Sequence, residues 1–306
     1  MFFALFLACA TEAPPPAGPT LTPIRVALNW YPEPEFGGFY EAELSGLYDK
    51  AGLDVTILPG GPGAPTLELL GTGSAEVAIT GADDLLLKRA RGIQAVGLWP
   101  AFQDNPQGLM AHAAAGYATI EDIGKKPGAR VAIEVGSPFQ IWTWKRYAWE
   151  GRVEAVPYAG TVGAFLADPS FIQQGYVTSE PCVAQAQGAQ VTFLGAASTG
   201  WNPYASLVAV ADPPPPWAAA FVKATAEGWA AYMNSPGRAN AEISRLNDQM
   251  KPALLDCITK AQAPYVTGSE GIGAMTEARW TAVVDNLVTV GLLPAGSTAV
   301  GAYRLP

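Results

Sequence analysis

The sequence predicts an α/β protein assembled from two packed units. Short β-rich runs alternate with helical periodicity over residues 24–98, the scheme returns over residues 109–194, and the chain beyond residue 210 is helical. At 306 residues the chain is also longer than one compact core usually organises.

Ile24–Leu28 reads as the first strand. Phe39, Tyr40, Leu44, Leu47 and Tyr48 then recur at helical spacing until Gly52 closes that segment. Leu53–Ile57 is the second strand, Pro59–Gly63 a turn, and Pro65 the start of a short helix. Strand Glu76–Thr80, helix Asp83–Arg91 and strand Ala95–Leu98 complete the first sheet, and such strand–helix–strand units favour parallel pairing under a cover of helices.

In the middle, Leu109–Ala113, Ala129–Val135, Val153–Val156, Gly175–Thr178 and Val191–Leu194 read as strands of a second sheet. Thr119 with Asp122 has the capping-box pattern, and Ser137-Pro138 opens a helix carrying Ile141, Trp142, Lys145 and Trp149. After strand Ser206–Val210, helices begin at Pro214, after Pro236 and at Met275, as expected of a chain returning to its first unit. The expected division is therefore a leader and tether over 1–23, one lobe of 24–104 plus 206–306, and a second lobe of 105–205. Each lobe is expected to be a mainly parallel sheet flanked by helices.

Composition narrows the function. With 49% hydrophobic and 15% charged residues and a formal charge of -9, the chain is too apolar for disorder and too acidic to seek nucleic acid or anionic membrane. Met1–Cys9 is an apolar stretch ending in cysteine, and Thr11–Pro23 is a Pro-, Ala- and Thr-rich tether. This resembles a bacterial lipoprotein signal, with Cys9 as the acylated residue and an extracytoplasmic, lipid-anchored protein as the consequence. Cys182 and Cys257 fall in different expected lobes, where a cross-link would hinder lobe movement, so free buried thiols are expected.

Catalytic raw material is scarce. The single histidine, His112, sits in an apolar strand, which leaves little for histidine-based zinc sites or a Ser-His-Asp triad. Gly60, Gly61 and Gly63 match neither the dinucleotide fingerprint nor the phosphate-binding loop. Glu33 with Glu35, and Asp83 with Asp84, are carboxylate pairs whose spacing is not diagnostic of acid–base work. No catalytic residue, metal or cofactor is expected.

Four segments follow strand ends, where ligands bind in open α/β sheets. Asn29-Trp30-Tyr31-Pro32 offers an amide and an indole plate, and stacking a flat ring there contributes roughly 0.5–1.5 kcal/mol beyond area burial. Gly81 and Asp83 offer close backbone approach and a carboxylate, while Gly136 and Ser137 precede a helix whose first amides can accept a ligand oxygen. In Gly175–Pro181, Glu180 can accept from ligand amino groups, and Tyr176 or Tyr204 can cover the opposite ring face. Arg89 and Arg91 are placed at a helix end away from this rim, so a sulfonate or phosphate ligand lacks its cation.

Leu28–Pro32 through Gly38-Phe39-Tyr40, then Gly46-Leu47-Tyr48, Ala51–Val55, Gly81–Asp83, Gln174–Pro181 and Trp280 to Leu293 resemble the thiamine-pyrimidine precursor binding proteins of ABC importers, a family shared with fungal synthases of that pyrimidine. The resemblance implies a two-lobed periplasmic-binding fold of the second type that shuts on its ligand, with Trp30 stacking, Tyr40 near the ligand and Glu180 as the acidic contact. It also implies a small heteroaromatic ligand, a membrane permease as partner, a monomer and no catalysis. A hydroxymethyl-aminopyrimidine is the first expected ligand; a flavin, another heterocycle or an alkyl sulfonate is the alternative, as is a pyrimidine-metabolising enzyme. Phe36 stands where relatives often have histidine, and the synthases' cysteine-rich motif is missing.

Overall fold

The protein is described by a computed structural model covering residues 20–305; Cys9 and the leader lie outside the described residues. The first stretch contains β1 (Thr22–Ala27), α1 (Gly37–Leu44), α2 (Leu47–Lys50), β2 (Leu53–Leu58), α3 (Thr66–Gly71), β3 (Val77–Thr80), α4 (Ala82–Ala90) and β4 (Ala95–Phe102). The middle contains β5 (Gln107–His112), α5 (Ile120–Ile123), β6 (Arg130–Ile133), α6 (Pro138–Tyr147), β7 (Glu154–Pro157), α7 (Gly163–Ala167), β8 (Ile172–Tyr176), α8 (Glu180–Ala186) and β9 (Val191–Gly195). The chain then returns through β10 (Ala205–Ala211) and ends in α9 (Ala218–Asn234), α10 (Gly237–Leu246), α11 (Pro252–Thr267) and α12 (Glu277–Thr289).

Two five-stranded sheets result, with strand orders β2-β1-β3-β10-β4 and β7-β6-β8-β5-β9. The expected parallel pairing holds for β1 with β2 and β3, and for β6 with β7 and β8. It fails at β10, antiparallel to β3 and β4, and at β5, antiparallel to β8 and β9. The connectivity explains both exceptions: β4 runs out into the second sheet through residues 103–106, and β10 comes back through residues 200–204. The strand that enters each sheet from the crossover therefore points opposite to strands that end there. β1 also begins earlier than expected, because Thr22 and Pro23 already pair with Leu53 and Asp54 of β2; β3 joins β1 only at Val26 and Ala27, so Pro23 leaves no bond to β3 unmade.

One apolar core packs α1, α9, α10 and α11 against the first sheet around Trp229, which meets Phe39, Phe102 and Tyr232 edge-on. A fully buried aromatic of this kind stabilises by roughly 1.5–3 kcal/mol. Small residues permit the close crossing of α1 and α9: a methyl at Gly228 would lie 2.4 Å from the Gly38 carbonyl oxygen and 2.5 Å from Ala42 Cβ. A second core runs from the other face of the first sheet into the second half, through Trp142 against Trp201 and Tyr204 against Trp280. His112 is half-buried and satisfied, its Nε2 2.7 Å from the Phe165 carbonyl oxygen and its ring stacked on Phe165.

The cysteine expectation is corrected. Cys182 on α8 and Cys257 on α11 form a disulfide with Cα atoms 6.0 Å apart. The argument from separate halves overlooked that α8 packs directly on α11, with Cys182 buried in the first core. The sulfurs are neighbours in this arrangement of the two halves, so the link accommodates it. Among the described residues no helix is long and apolar enough to cross a membrane.

Candidate functional site

The strands of the two sheets deliver their ends to one cavity of about 570 Å³, the size range of small-molecule sites. On the first side, Asn29 and Trp30 follow β1 directly. Pro34 then starts a single 3-10 turn over Pro34–Phe36, which buries Phe36 in the core and leaves Glu33 and Glu35 lining the cavity. At the end of β3, Gly81 leaves room for Asp83: a Cβ there would lie 2.5 Å from the Asp83 carboxylate.

On the second side, Glu180 heads α8 and folds back over the end of β8. Tyr176 N–H donates to its Oε2 at 2.7 Å and the Tyr158 hydroxyl to its Oε1 at 2.7 Å. Gly175 makes this fold possible, since a Cβ would sit 2.7 Å from Glu180 Oε2. The halves touch at the cavity wall, where the Ser179 hydroxyl donates to Glu33 Oε2 at 2.8 Å. A smaller cavity of about 210 Å³ lies beside the first, sharing Trp30, Glu33, Ser179 and Glu180 with it and reaching Gly160 and Met250.

Acidity dominates this wall. Burial, reinforced by the Glu180 charge, pushes the Glu33 carboxyl up to about 8 against the relief given by Ser179. Burial and the charges of Glu33 and Glu180 hold Glu35 well above the carboxylate range. Burial also raises Glu180, offset by the Tyr158 and Tyr176 hydrogen bonds. Asp83 is pushed up to about 7 by burial and by neighbouring Asp84. Among the described residues no set of three His, Cys, Asp or Glu side chains is arranged to hold a metal ion.

Of the ten ligand-contact residues expected from sequence, Asn29, Trp30, Gly81, Asp83, Gly136, Ser137, Tyr176, Glu180 and Tyr204 line the cavity. Tyr40 does not: it is buried in the first core on α1, which packs against α9 and α10. Tyr204 contributes its edge but not a free ring, because its hydroxyl accepts from Thr276 N–H, its ring carries the Arg279 guanidinium at 4.2 Å, and Trp280 packs beside it. The amides before α6 are already used, Gly136 N–H by Gln140 Oε1 and Gln140 N–H by the Ser137 hydroxyl. Arg91 lines the cavity together with Lys88, contrary to the placement expected for it, while Lys88 is paired with Glu68 and Arg89 with Asp212. Glu33, Glu35 and Tyr158 were not assigned to the site; the two glutamates stood out only as a pair, and nothing local marks Tyr158.

Two sheets joined by two crossovers around an interposed cavity define the periplasmic-binding-protein fold, and comparisons place the chain within it. A family model described as NMT1/THI5 like matches residues 33–239, more than half of the chain, so the protein belongs to the NMT1/THI5-like family, a family of periplasmic binding proteins of the ABC-importer type. The riboflavin-binding protein RibY of Chloroflexus aurantiacus is 25% identical, with 94% of this chain and 87% of that protein covered. Among solved structures, the periplasmic aliphatic sulphonate binding protein SsuA of Escherichia coli superposes with a TM-score of 0.69 at 16% identity, covering 93% of this chain and 92% of that one. The Candida albicans CA3427 product, described as having the generic periplasmic binding protein fold, gives 0.65 at 14% identity over 93% and 97%.

Proposed function

We propose that this protein is the extracytoplasmic solute-binding subunit of an ABC importer and that it encloses one flat heteroaromatic ligand bearing N–H donors, with no catalysis. The observation that carries this reading is one interlobe cavity with the Trp30 indole on its rim and the carboxyls of Glu33, Glu35 and Glu180 on its wall. An indole plate favours a planar ring by stacking, and carboxyl groups favour amino and ring N–H groups over other anions. Lys88 at the cavity margin is already paired with Glu68, and Arg91 stands at the exposed end of α4, which weighs against a sulfonate seated on the carboxyl wall.

A thiamine-type aminopyrimidine is the first candidate, since its amino group and ring nitrogen can pair with a carboxyl in two places. A flavin is the second reading. It is favoured by the cavity volume of about 570 Å³, generous for a single pyrimidine, and by the likeness to a protein named for riboflavin binding. Anchoring through Cys9 belongs to the same proposal. Binding energy would bias an open and shut equilibrium toward the shut form that a permease recognises.

Native mass spectrometry of the purified protein, followed by incubation with a hydroxymethyl-aminopyrimidine, riboflavin and an alkyl sulfonate, tests the reading. One equivalent of unchanged aromatic ligand with a raised melting temperature is expected. Conversion of the ligand, or preference for the sulfonate, would refute it.

A further inference from the structure

Three carboxyl groups converge where the two halves meet, and no cation meets them. Glu35 is only 6% exposed and lines the cavity, and no hydrogen bond from the described residues reaches it. Glu33, 7% exposed, receives the Ser179 hydroxyl, and Glu180 receives Tyr158 and the Tyr176 amide. The elements packed around them add further acidity, with Asp83 from the start of α4 and Glu134 from the end of β6, and the neutral phenols of Tyr158 and Tyr176. The cations on the lining, Lys88 and Arg91, belong to the far end of α4, where they face Asp84 and Glu68.

Two of these carboxyls come from the first half and one from the second, brought together where α8 packs on the first half beside the Cys182–Cys257 disulfide. Three like charges in one largely buried site are unfavourable unless something neutralises them. Protons can do so, as can a positively charged ligand. A metal ion is a poor fit, because no three ligating side chains there have metal-binding geometry. The unpartnered Glu35 is the group that such a ligand would satisfy.

We propose that the cleft selects a cationic heteroaromatic ligand, whose positive charge stands against Glu35 and replaces one of the protons that the three carboxyls otherwise need once a ligand fills the cavity. This deepens the reading of the cavity as a ligand site and rests on it. The physical consequence is a difference in proton linkage. A neutral ligand must shut the cleft with proton uptake, so its affinity falls as pH rises from the ordinary carboxylate range toward the value of about 8 at Glu33. A cationic ligand takes up one proton fewer, so its affinity falls less steeply over the same range.

The test is isothermal titration calorimetry at about pH 6 and about pH 8, each in two buffers of different ionisation enthalpy, phosphate and ACES at the lower pH and phosphate and Tris at the higher. The probes are a hydroxymethyl-aminopyrimidine, its ring-N-methylated and permanently cationic derivative, and riboflavin. The cationic derivative should bind about tenfold or more tighter than its neutral parent at the higher pH, with heats that depend less on the buffer than the parent's. Glu35→Gln should abolish that preference, weakening the cation's binding at the higher pH by more than the neutral parent's, and Glu33→Gln should weaken the preference in the same sense. Because each substitution removes a buried charge, the empty protein should melt no lower than wild type at the higher pH, which separates loss of preference from loss of fold. Riboflavin or the neutral pyrimidine binding at least as tightly as the cation, with Glu35→Gln without effect, would overturn the charge inference and leave the cleft reading standing. Binding of none of the three would overturn both.

Discussion

Ser179 donates its hydroxyl to Glu33 at 2.8 Å, and through that bond a residue of the second half grips a residue of the first in the wall of the cavity. Both side chains are buried, so the bond forms only when the halves meet and closure must replace the water each had. Ser179→Ala leaves Glu33 without this donor. The expected outcome is a loss in ligand affinity of about tenfold, from a hydrogen bond to a charged or acidic group worth about 1.5 kcal/mol. Melting temperature without ligand should change little. Calorimetric titration alongside thermal unfolding checks both, and small-angle scattering should show the unliganded variant shifted toward a larger radius of gyration.

Asp83 gives the fold a titration of its own. Its folded value, pushed up to about 7 by burial and then by Asp84, lies above the unfolded carboxylate range. The native state therefore keeps a proton that the unfolded chain gives up. The stability this supplies is fully present below about pH 4 and is lost as pH rises through about 7. Asp83→Asn cannot titrate, so relative to wild type it should gain melting temperature on going from about pH 4 to about pH 8. A set of unfolding curves at four or five pH values for both proteins measures the difference; parallel curves would mean that Asp83 titrates normally.

Much of the cavity lining was legible because residues that follow strand ends face it, a rule that needs only the strands: Asn29 after β1, Gly81 and Asp83 after β3, Tyr176 and Glu180 around the end of β8. Periodicity could place Tyr40 on the buried face of α1 but could not say whether that face looks toward the cavity or toward α9 and α10. Glu33 and Glu35 were visible as a pair, yet their direction is set by the Pro34–Phe36 turn and the burial of Phe36, which are three-dimensional facts. Antiparallel β5 and β10 follow from the crossovers, which local pattern does not encode. The contact of α8 with α11 spans 75 residues, and no local signal reports it.

That contact makes the Cys182–Cys257 disulfide a third covalent connection between the halves, beside the crossovers at residues 103–106 and 200–204. It closes a long loop, and such links stabilise by about 2–4 kcal/mol. Cys182→Ser combined with Cys257→Ser should lower the melting temperature by several degrees. A tether beside the cleft also restricts how far the halves separate. The double variant without ligand should then show a larger radius of gyration than wild type, and ligand should narrow the gap. Equal scattering profiles would mean that α8 and α11 stay together through packing of Cys182, Val183 and their neighbours alone.

Trp30 is half-buried at the junction of the two cavities, packed edge-on against Tyr31 at 5.4 Å and facing Gly160 from the second half. It lies at the margin of the first core rather than within it, so its removal should cost little stability. Its loss from a stacking position should cost binding: forfeiting the ring contact together with its buried area weakens affinity about tenfold or more. Trp30→Phe keeps a smaller plate and should fall between wild type and Trp30→Ala. Quenching of tryptophan fluorescence on ligand addition should shrink in Trp30→Ala even at saturation, although eight other tryptophans remain, because the described ones are largely buried away from the cavity. An unchanged affinity and an unchanged quench in a well-folded Trp30→Ala protein would remove the indole from the site and, with it, the argument for a planar ligand.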